Sequence, residues 1–220
     1  MKLYPSLMCI NFCNLVAEIN ELNLSGISGY HIDIMDGNCV SNFALGINDI
    51  YAVSSLTNLD LDVHLMGINP EKQIEPFLSL PIHRLSFHYE FSRNHIDIID
   101  KIKSKNIKTG LVINPSTSLL EISHLLPVID FLLIMTVNPG FAGQKYIESV
   151  TDKIKDAILY RNKHNLTFEI EVDGAISIEK VHTLSILGVD SFVLGTAGLF
   201  NETFSNYKEA VKKIVNMVEL

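Results

Sequence analysis

The chain is poor in cysteine, in positive charge and in long apolar runs, and each shortage argues against a class of protein. Its three cysteines, Cys9, Cys13 and Cys39, are an odd number with no CxxC pair. A disulfide framework is therefore not expected, and reduced thiols in a cytoplasmic protein are. Lys and Arg number 17 against 25 Asp and Glu, for a net charge of −8. No basic patch stands out to neutralise a phosphate backbone, so nucleic acid is not an expected partner. No apolar run reaches the roughly 18 residues of a membrane span, so no membrane partner is expected either. Met1 to Pro5 reads as the start of a strand and not as an apolar signal core.

What is present suits one compact domain. The hydrophobic fraction is 47% and the charged fraction 19% over 220 residues, enough to bury a full core and too apolar for wholesale disorder. We expect residues 1–220 to form a single domain. No linker, repeat or low-complexity tract interrupts them.

The pattern alternates throughout. Short apolar runs (Leu3–Met8, Tyr30–Ile34, the segment ending at His64, His83–Phe87, Thr109–Ile113, Phe131–Met135, Phe168–Val172, Phe192–Leu194) read as strands. Between them lie segments with apolar residues at helical spacing. Asn11 suits a helix N-cap ahead of Leu15, Ile19 and Leu22, followed by Ile50, Val53 and Leu56. Pro70 opens a helix with Ile74 and Phe77; Ile96, Ile99 and Ile102 share a face, as do Leu119, Ile122 and Leu126. Ile147, Val150, Ile154 and Ile158 come next, then Ile178, Val181 and Leu184, and lastly Tyr207, Val211, Ile214 and Val218. Near-continuous apolar strands alternating with amphipathic helices indicate a parallel sheet covered by helices. Eight such units close naturally into an α/β fold of the (β/α)8, or TIM barrel, type, with an open doubly wound sheet as the alternative.

The polar residues gather at strand ends. In His31-Ile32-Asp33-Ile34-Met35-Asp36-Gly37, period-two alternation points His31 and Asp33 to the same face. His64 and Asp173 end two other strands. Two imidazoles and two carboxylates form a borderline N/O set suited to Zn²⁺, Mn²⁺, Co²⁺ or Fe²⁺. The same two aspartates could instead serve as acid and base on opposite faces of a substrate, and each histidine could be no more than a satisfied strand-end group. Asp36 is expected to bond loop N–H groups. Three glycine turns, at Asn138–Gln144, at Gly174 and at Gly195-Thr196, could bring backbone N–H groups close to a phosphate. Met8, Met35, Met66 and Met135 also fall at strand ends, as core filling or as a shield over a reactive intermediate. His88 and Glu90 read as a solvated rim, and Cys9 has no base placed near it.

These segments carry a resemblance. His31–Gly37, Asp62–Met66, Asn138–Gln144 and Val172–Gly174 resemble the ribulose-phosphate 3-epimerase family, in the family's order, over Ser6 to Asn201. Within it, Ser6–Cys9, Met135–Val137, Phe141–Gly143, Glu169–Glu171 and Gly195–Asn201 are similar to the D-allulose-6-phosphate 3-epimerase branch. The loop 38–42 and Ala175 depart from the family's pattern. The resemblance implies a ribulose-phosphate-binding barrel with one divalent ion on His31, Asp33, His64 and Asp173 and no organic cofactor. Asp33 and Asp173 would be the acid/base pair that inverts C3 of a ketose phosphate through an enediolate. Ser6, His64, Met35, Met66 and Met135 would contact that substrate. Its phosphate would lie on Gly140, Phe141, Ala142, Gly143, Gly174, Ala175, Gly195, Thr196 and Ala197. On this reading the expected reaction converts D-allulose 6-phosphate to D-fructose 6-phosphate in a homo-oligomer, a dimer or hexamer. Conversion of D-ribulose 5-phosphate to D-xylulose 5-phosphate is the alternative, and a non-catalytic sugar-phosphate binder is the rival from another class.

Overall fold

Eight strands, all parallel to their neighbours, form one sheet in the computed structural model, which describes every residue except 202, 205, 219 and 220. The strands are β1 (Lys2–Pro5), β2 (Gly29–Met35), β3 (Asp60–Met66), β4 (Arg84–His88), β5 (Lys108–Ile113), β6 (Phe131–Met135), β7 (Glu169–Asp173) and β8 (Ser191–Leu194). From β2 to β8 each strand pairs with the next in sequence, and β8 pairs with β1. The remaining seam, β1 to β2, is joined by a parallel bridge between Ser6 and His31. The alternation of strands and helices thus resolves as the (β/α)8 barrel and not as the open sheet.

The helices are α1 (Leu15–Asn23), α2 (Ile47–Ser54), α3 (Pro70–Gln73), α4 (His95–Lys103), α5 (Leu119–Ile122), α6 (Val150–Lys163), α7 (Ile178–Leu187) and α8 (Tyr207–Val218). Ile19, Leu22, Ile50, Val53, Ile154, Val181, Leu184 and Ile214 turn inward from them onto the outer strand face. No helix among the described residues is long and apolar enough to cross a membrane.

Some elements are shorter than the periodicity suggests. The first strand stops at Pro5, and Leu7–Cys9 coil into a 3₁₀ turn. Asn11 caps a second 3₁₀ turn, accepting from the Cys13 N–H, rather than α1 itself. The helix begun at Pro70 ends after one turn and continues as a 3₁₀ segment, Glu75–Ser79. Pro76 has no N–H to offer and its ring crowds the preceding turn. Likewise Pro127 lies in the 3₁₀ turn Leu126–Val128, so Leu126 is outside α5. In α4 the buried stripe is Ile98, Ile99 and Ile102, while Ile96 faces solvent.

The barrel interior is divided. One side is apolar, with Val112, Phe131, Leu133, Met135 and Val137 packed together. The other side holds Arg84, 1% exposed. Its guanidinium donates to Glu171 at 2.6 Å and to the Tyr4 hydroxyl at 3.0 Å, lies 3.2 Å from Asp62, and stacks 3.9 Å from the Phe131 ring centroid. Burial pushes the Glu171 carboxyl up to about 8 despite Arg84, with Asp62 adding to the rise. Asp62 is held down at about 2, Arg84 and His31 overcoming its burial. Asp62 thus stands as the anion facing Arg84, and Glu171 as the carboxyl whose neutral form burial favours.

Breaking this group from one side strands buried charge. Arg84→Met should lower unfolding free energy by about 3–5 kcal/mol in urea titration. Glu169→Gln, at the network's more open edge, should cost less than about 1 kcal/mol. Equal losses in the two variants would show that the buried charges are not held by Arg84.

Candidate active site

The register of β2 on β3 sets His31 opposite Asp62 and Asp33 opposite His64. On the far side of the barrel β7 ends at Asp173, paired with Met135 of β6. Within the barrel the candidate groups converge. His31 Nε2 and His64 Nδ1 each lie 3.4 Å from Asp33 Oδ1 and 3.9 Å from Asp173 Oδ2. One ligand atom from each of the four residues falls within 4.8 Å of every other.

The two facing imidazole nitrogens are buried and have no hydrogen-bond partner. Their other nitrogens are engaged behind the site. His31 Nδ1 donates to Asp62 at 2.7 Å, and His64 Nε2 meets His88 Nε2 at 2.9 Å. Unpartnered buried nitrogens are costly, and two of them aimed at two carboxylates are what a divalent cation requires. The four residues therefore fit a mixed N/O cation site.

The carboxyls are set apart electrostatically. Burial alone would raise Asp33, but His31 and His64 hold it well below the usual carboxylate range. Burial raises Asp173 to about 7, and the Asp33 charge adds to the rise. Burial opposes charge on His31, yet Asp33 and Asp62 outweigh it and lift its pKa well above the ordinary value. Without a cation, one carboxylate is thus an anion and the other an acid, and a bound cation competes with that proton.

Asp33 also accepts from the Ser6 hydroxyl at 2.9 Å. Above the cluster opens a cavity of about 260 Å³. Ser6, Asp33, Met35, Met66, Met135 and Asp173 line its floor, while His31 and His64 lie beneath, fully buried. The rim brings all three glycine turns together: Gly140, Phe141, Ala142 and Gly143, then Gly174 and Ala175, then Gly195, Thr196 and Ala197. Gly174 has φ +116°, and a Cβ there would meet Val137 Cγ2 at 2.4 Å, so no other residue fits. Ala175 follows at φ +52°, a conformation a residue with a Cβ seldom adopts. The loop after β2 is tied to this rim, since the Asn42 amide donates to Gly140 O at 2.7 Å.

All four methionines line the cavity: Met8, Met35 and Met66 pack with Val40, and Met135 packs on the apolar side of the barrel. Among the remaining candidates His88 and Glu90 stand elsewhere than their sequence context suggests, whereas Asp36 and Cys9 stand as expected. His88 and Glu90 are not a solvated rim. His88 is 1% exposed and stacks on His64 at 5.0 Å between centroids. Period-two alternation along β4 from Arg84 through Ser86 gave the signal, because all three face inward. Burial lowers the His88 pKa to about 4, with Glu90 opposing. Asp36 accepts from the N–H groups of Asn38, Cys39 and Ile68 and from Gln73. The Cys9 thiol is pushed up to about 11 by burial, unsuited to a nucleophile.

A closed parallel barrel with this cluster at its mouth defines an enzyme site of the kind built on strand C-termini. The chain belongs to the ribulose-phosphate 3-epimerase family, whose sequence profile matches residues 2–200. It is an isomerase of the sugar-phosphate epimerase type. The ribulose-phosphate 3-epimerase of Bacillus subtilis (strain 168) is 36% identical over 215 residues, 97% of this chain and 98% of its own length. The chloroplastic ribulose-5-phosphate-3-epimerase of Arabidopsis thaliana is 36% identical over 212 residues, 96% of this chain and 74% of its own. Among solved structures, the KGPDC of Streptococcus mutans in complex with D-R5P superposes with TM-score 0.70 at 13% identity. It covers 99% of this chain and 96% of that one, a likeness of fold alone.

The raised Asp173 carboxyl has a consequence for stability. Its folded pKa, about 7, exceeds the unfolded value of 3.8. Its contribution is therefore complete below about pH 4 and is lost as pH rises through about 7. Metal-free Asp173→Asn should be more stable than metal-free wild type at pH 8–9, by on the order of 1–2 kcal/mol. The difference should fade towards pH 4–5; a constant difference across that range in thermal unfolding would refute the assignment.

Proposed function

We propose that the chain inverts C3 of D-ribulose 5-phosphate to give D-xylulose 5-phosphate, with Asp33 and Asp173 as the two proton-transferring groups. The observation that carries this reading is the convergence of both carboxyls, with pKa values driven apart, beneath a cavity rimmed by three glycine turns. Opposed pKa values in neighbouring carboxyls mark acid and base roles.

The phosphate rests on main-chain N–H groups of the rim, which needs no cluster of Lys or Arg. The carbon chain then reaches down between β2 and β7. In one direction ionised Asp33 takes the C3 proton, and the electron pair enters the carbonyl to give the enediolate. Asp173 returns a proton to C3 from the opposite face, so configuration inverts and no atoms are gained or lost. Ser6, by donating to Asp33 Oδ2, holds that carboxylate in place. Met35 and Met66 keep the floor apolar and dry. A divalent cation held by His31, Asp33, His64 and Asp173 supplies, when bound, stabilisation of the charge that develops on the ketose oxygens. The N/O donor set suits Zn²⁺, Mn²⁺, Co²⁺ or Fe²⁺.

The pentulose substrate takes precedence over the hexulose expected from Ser6–Cys9 and the other branch-like segments. The family and the two relatives named above are ribulose-phosphate enzymes matched along nearly the whole chain, whereas the hexulose reading rests on short segments. The same reading carries a cytoplasmic homo-oligomer in which residues 1–220 are one domain.

In D₂O, wild-type protein should exchange the C3 proton of ribulose 5-phosphate, and Asp33→Asn or Asp173→Asn should slow exchange at least ~10²-fold. Full exchange in either variant removes the two-carboxyl scheme, and phosphate-sugar binding without any wild-type exchange would indicate a binding protein. The ratio kcat/KM should favour D-ribulose 5-phosphate over D-allulose 6-phosphate by about tenfold or more, roughly the worth of one well-fitted carbon. The reverse preference would restore the hexulose reading. Exhaustive chelation should abolish turnover, with recovery on adding back a divalent ion.

A further inference from the structure

We propose that His88 and Glu90 are positioning residues that fix the tautomer of His64, keeping its Nδ1 free to bind a cation. This rests on the reading of His31, Asp33, His64 and Asp173 as a cation site.

The geometry is a chain of single-donor contacts. His64 Nδ1 faces Asp33 and Asp173, and its Nε2 meets His88 Nε2 at 2.9 Å. A neutral imidazole carries one N–H, so only one ring can donate across that contact. His88 Nδ1 lies 3.3 Å from Glu90 Oε2, an acceptor without a proton of its own. His88 must therefore donate from Nδ1 and accept at Nε2. His64 must then donate from Nε2, which leaves the Nδ1 lone pair directed at the cluster.

Glu90 is itself anchored. Its other oxygen, Oε1, accepts from the Asn114 backbone N–H at 2.8 Å and from the Thr117 hydroxyl. Both rings are buried, and His88 stacks on His64 with planes 24° apart, so neither can turn to present a different nitrogen without repacking. On the other side of the site Asp62 does the same for His31 directly, at 2.7 Å. Each cation-facing imidazole thus has a carboxylate behind it, one in contact and one a ring further back. Partners of this kind orient a ligand and raise its basicity.

The arrangement makes Glu90→Gln a directed test. The Asn114 N–H is a fixed donor, so the amide oxygen of the new residue must stay at the Oε1 position. Its NH₂ then faces His88 Nδ1 and forces that nitrogen to accept. The reversal propagates: His88 would donate from Nε2, His64 would accept there, and the proton would move to His64 Nδ1, in the path of the cation.

Zn²⁺ affinity is measured by chelator competition on wild type, Glu90→Gln, His64→Ala and the double variant, with metal-free folding checked by circular dichroism and thermal unfolding. Glu90→Gln should weaken binding roughly 10–100-fold, but less than about twofold in the His64→Ala background, because its effect passes through His64. An equal loss in both backgrounds, or none in wild type, overturns the proposal while leaving the cation site standing. Absence of Zn²⁺ binding by wild type overturns the cation reading and the proposal with it. Long-range ¹H–¹⁵N correlation spectra of Zn²⁺-loaded wild type give a check that needs no variant. His88 should carry its proton on Nδ1, and a proton on Nε2 refutes the relay even if Glu90→Gln does not fold.

Discussion

The alignment of β2 with β3 is the constraint on which the rest of the structure depends. It places Asp33 beside His64 and His31 beside Asp62. A slip of one residue would turn the side chains of the slipped strand to the opposite face of the sheet. Its two polar groups, His31 and Asp33 or Asp62 and His64, would then lie among the helices, where Ile32 and Ile34 or Val63 and Leu65 now pack. Hydrophobic burial on the outer face therefore fixes the chemistry on the inner one. The apolar residues between the polar ones supply most of the free energy that holds His31, Asp33, Asp62 and His64 in register.

The inner face carries a cost that the fold meets with paired groups rather than with water. Arg84 lies between Asp62 and Glu171, and Asp62 in turn holds His31. Charge balance at the bottom of the barrel is thereby connected to the orientation of His31 at its mouth. A second line, from Asn114 through Glu90 and His88 to His64, approaches from the β4 side. At the centre two imidazole nitrogens, His31 Nε2 and His64 Nδ1, stay without a hydrogen-bond partner and face the carboxyls of Asp33 and Asp173.

Much of this was readable in the chain. The alternation of apolar strands with amphipathic helices gives the eight-unit barrel, and HisxAsp followed by single polar strand ends gives the residues that meet in the mouth. The element ends were less readable where proline acts, as at Pro76 and Pro127, because a helical apolar spacing persists in 3₁₀ turns of similar period. Ile96 and Ile98 show the same limit. Both fit an apolar stripe loosely, and only the packing of α4 on the barrel buries Ile98 and exposes Ile96.

His88 marks the larger gap. In sequence it is one histidine beside one glutamate at the end of a strand, and exposure is the ordinary expectation for such a pair. Closing the sheet turns the ends of β3 and β4 toward a common axis and brings the two rings to 2.9 Å. The sequence by itself determined the fold class and which side chains share a face, because both follow from periodicity within a single segment. Only the tertiary structure decided which of those side chains touch and in which direction their pKa values move. Distances between strands far apart in the chain depend on closure, and pKa values depend on the burial that closure creates.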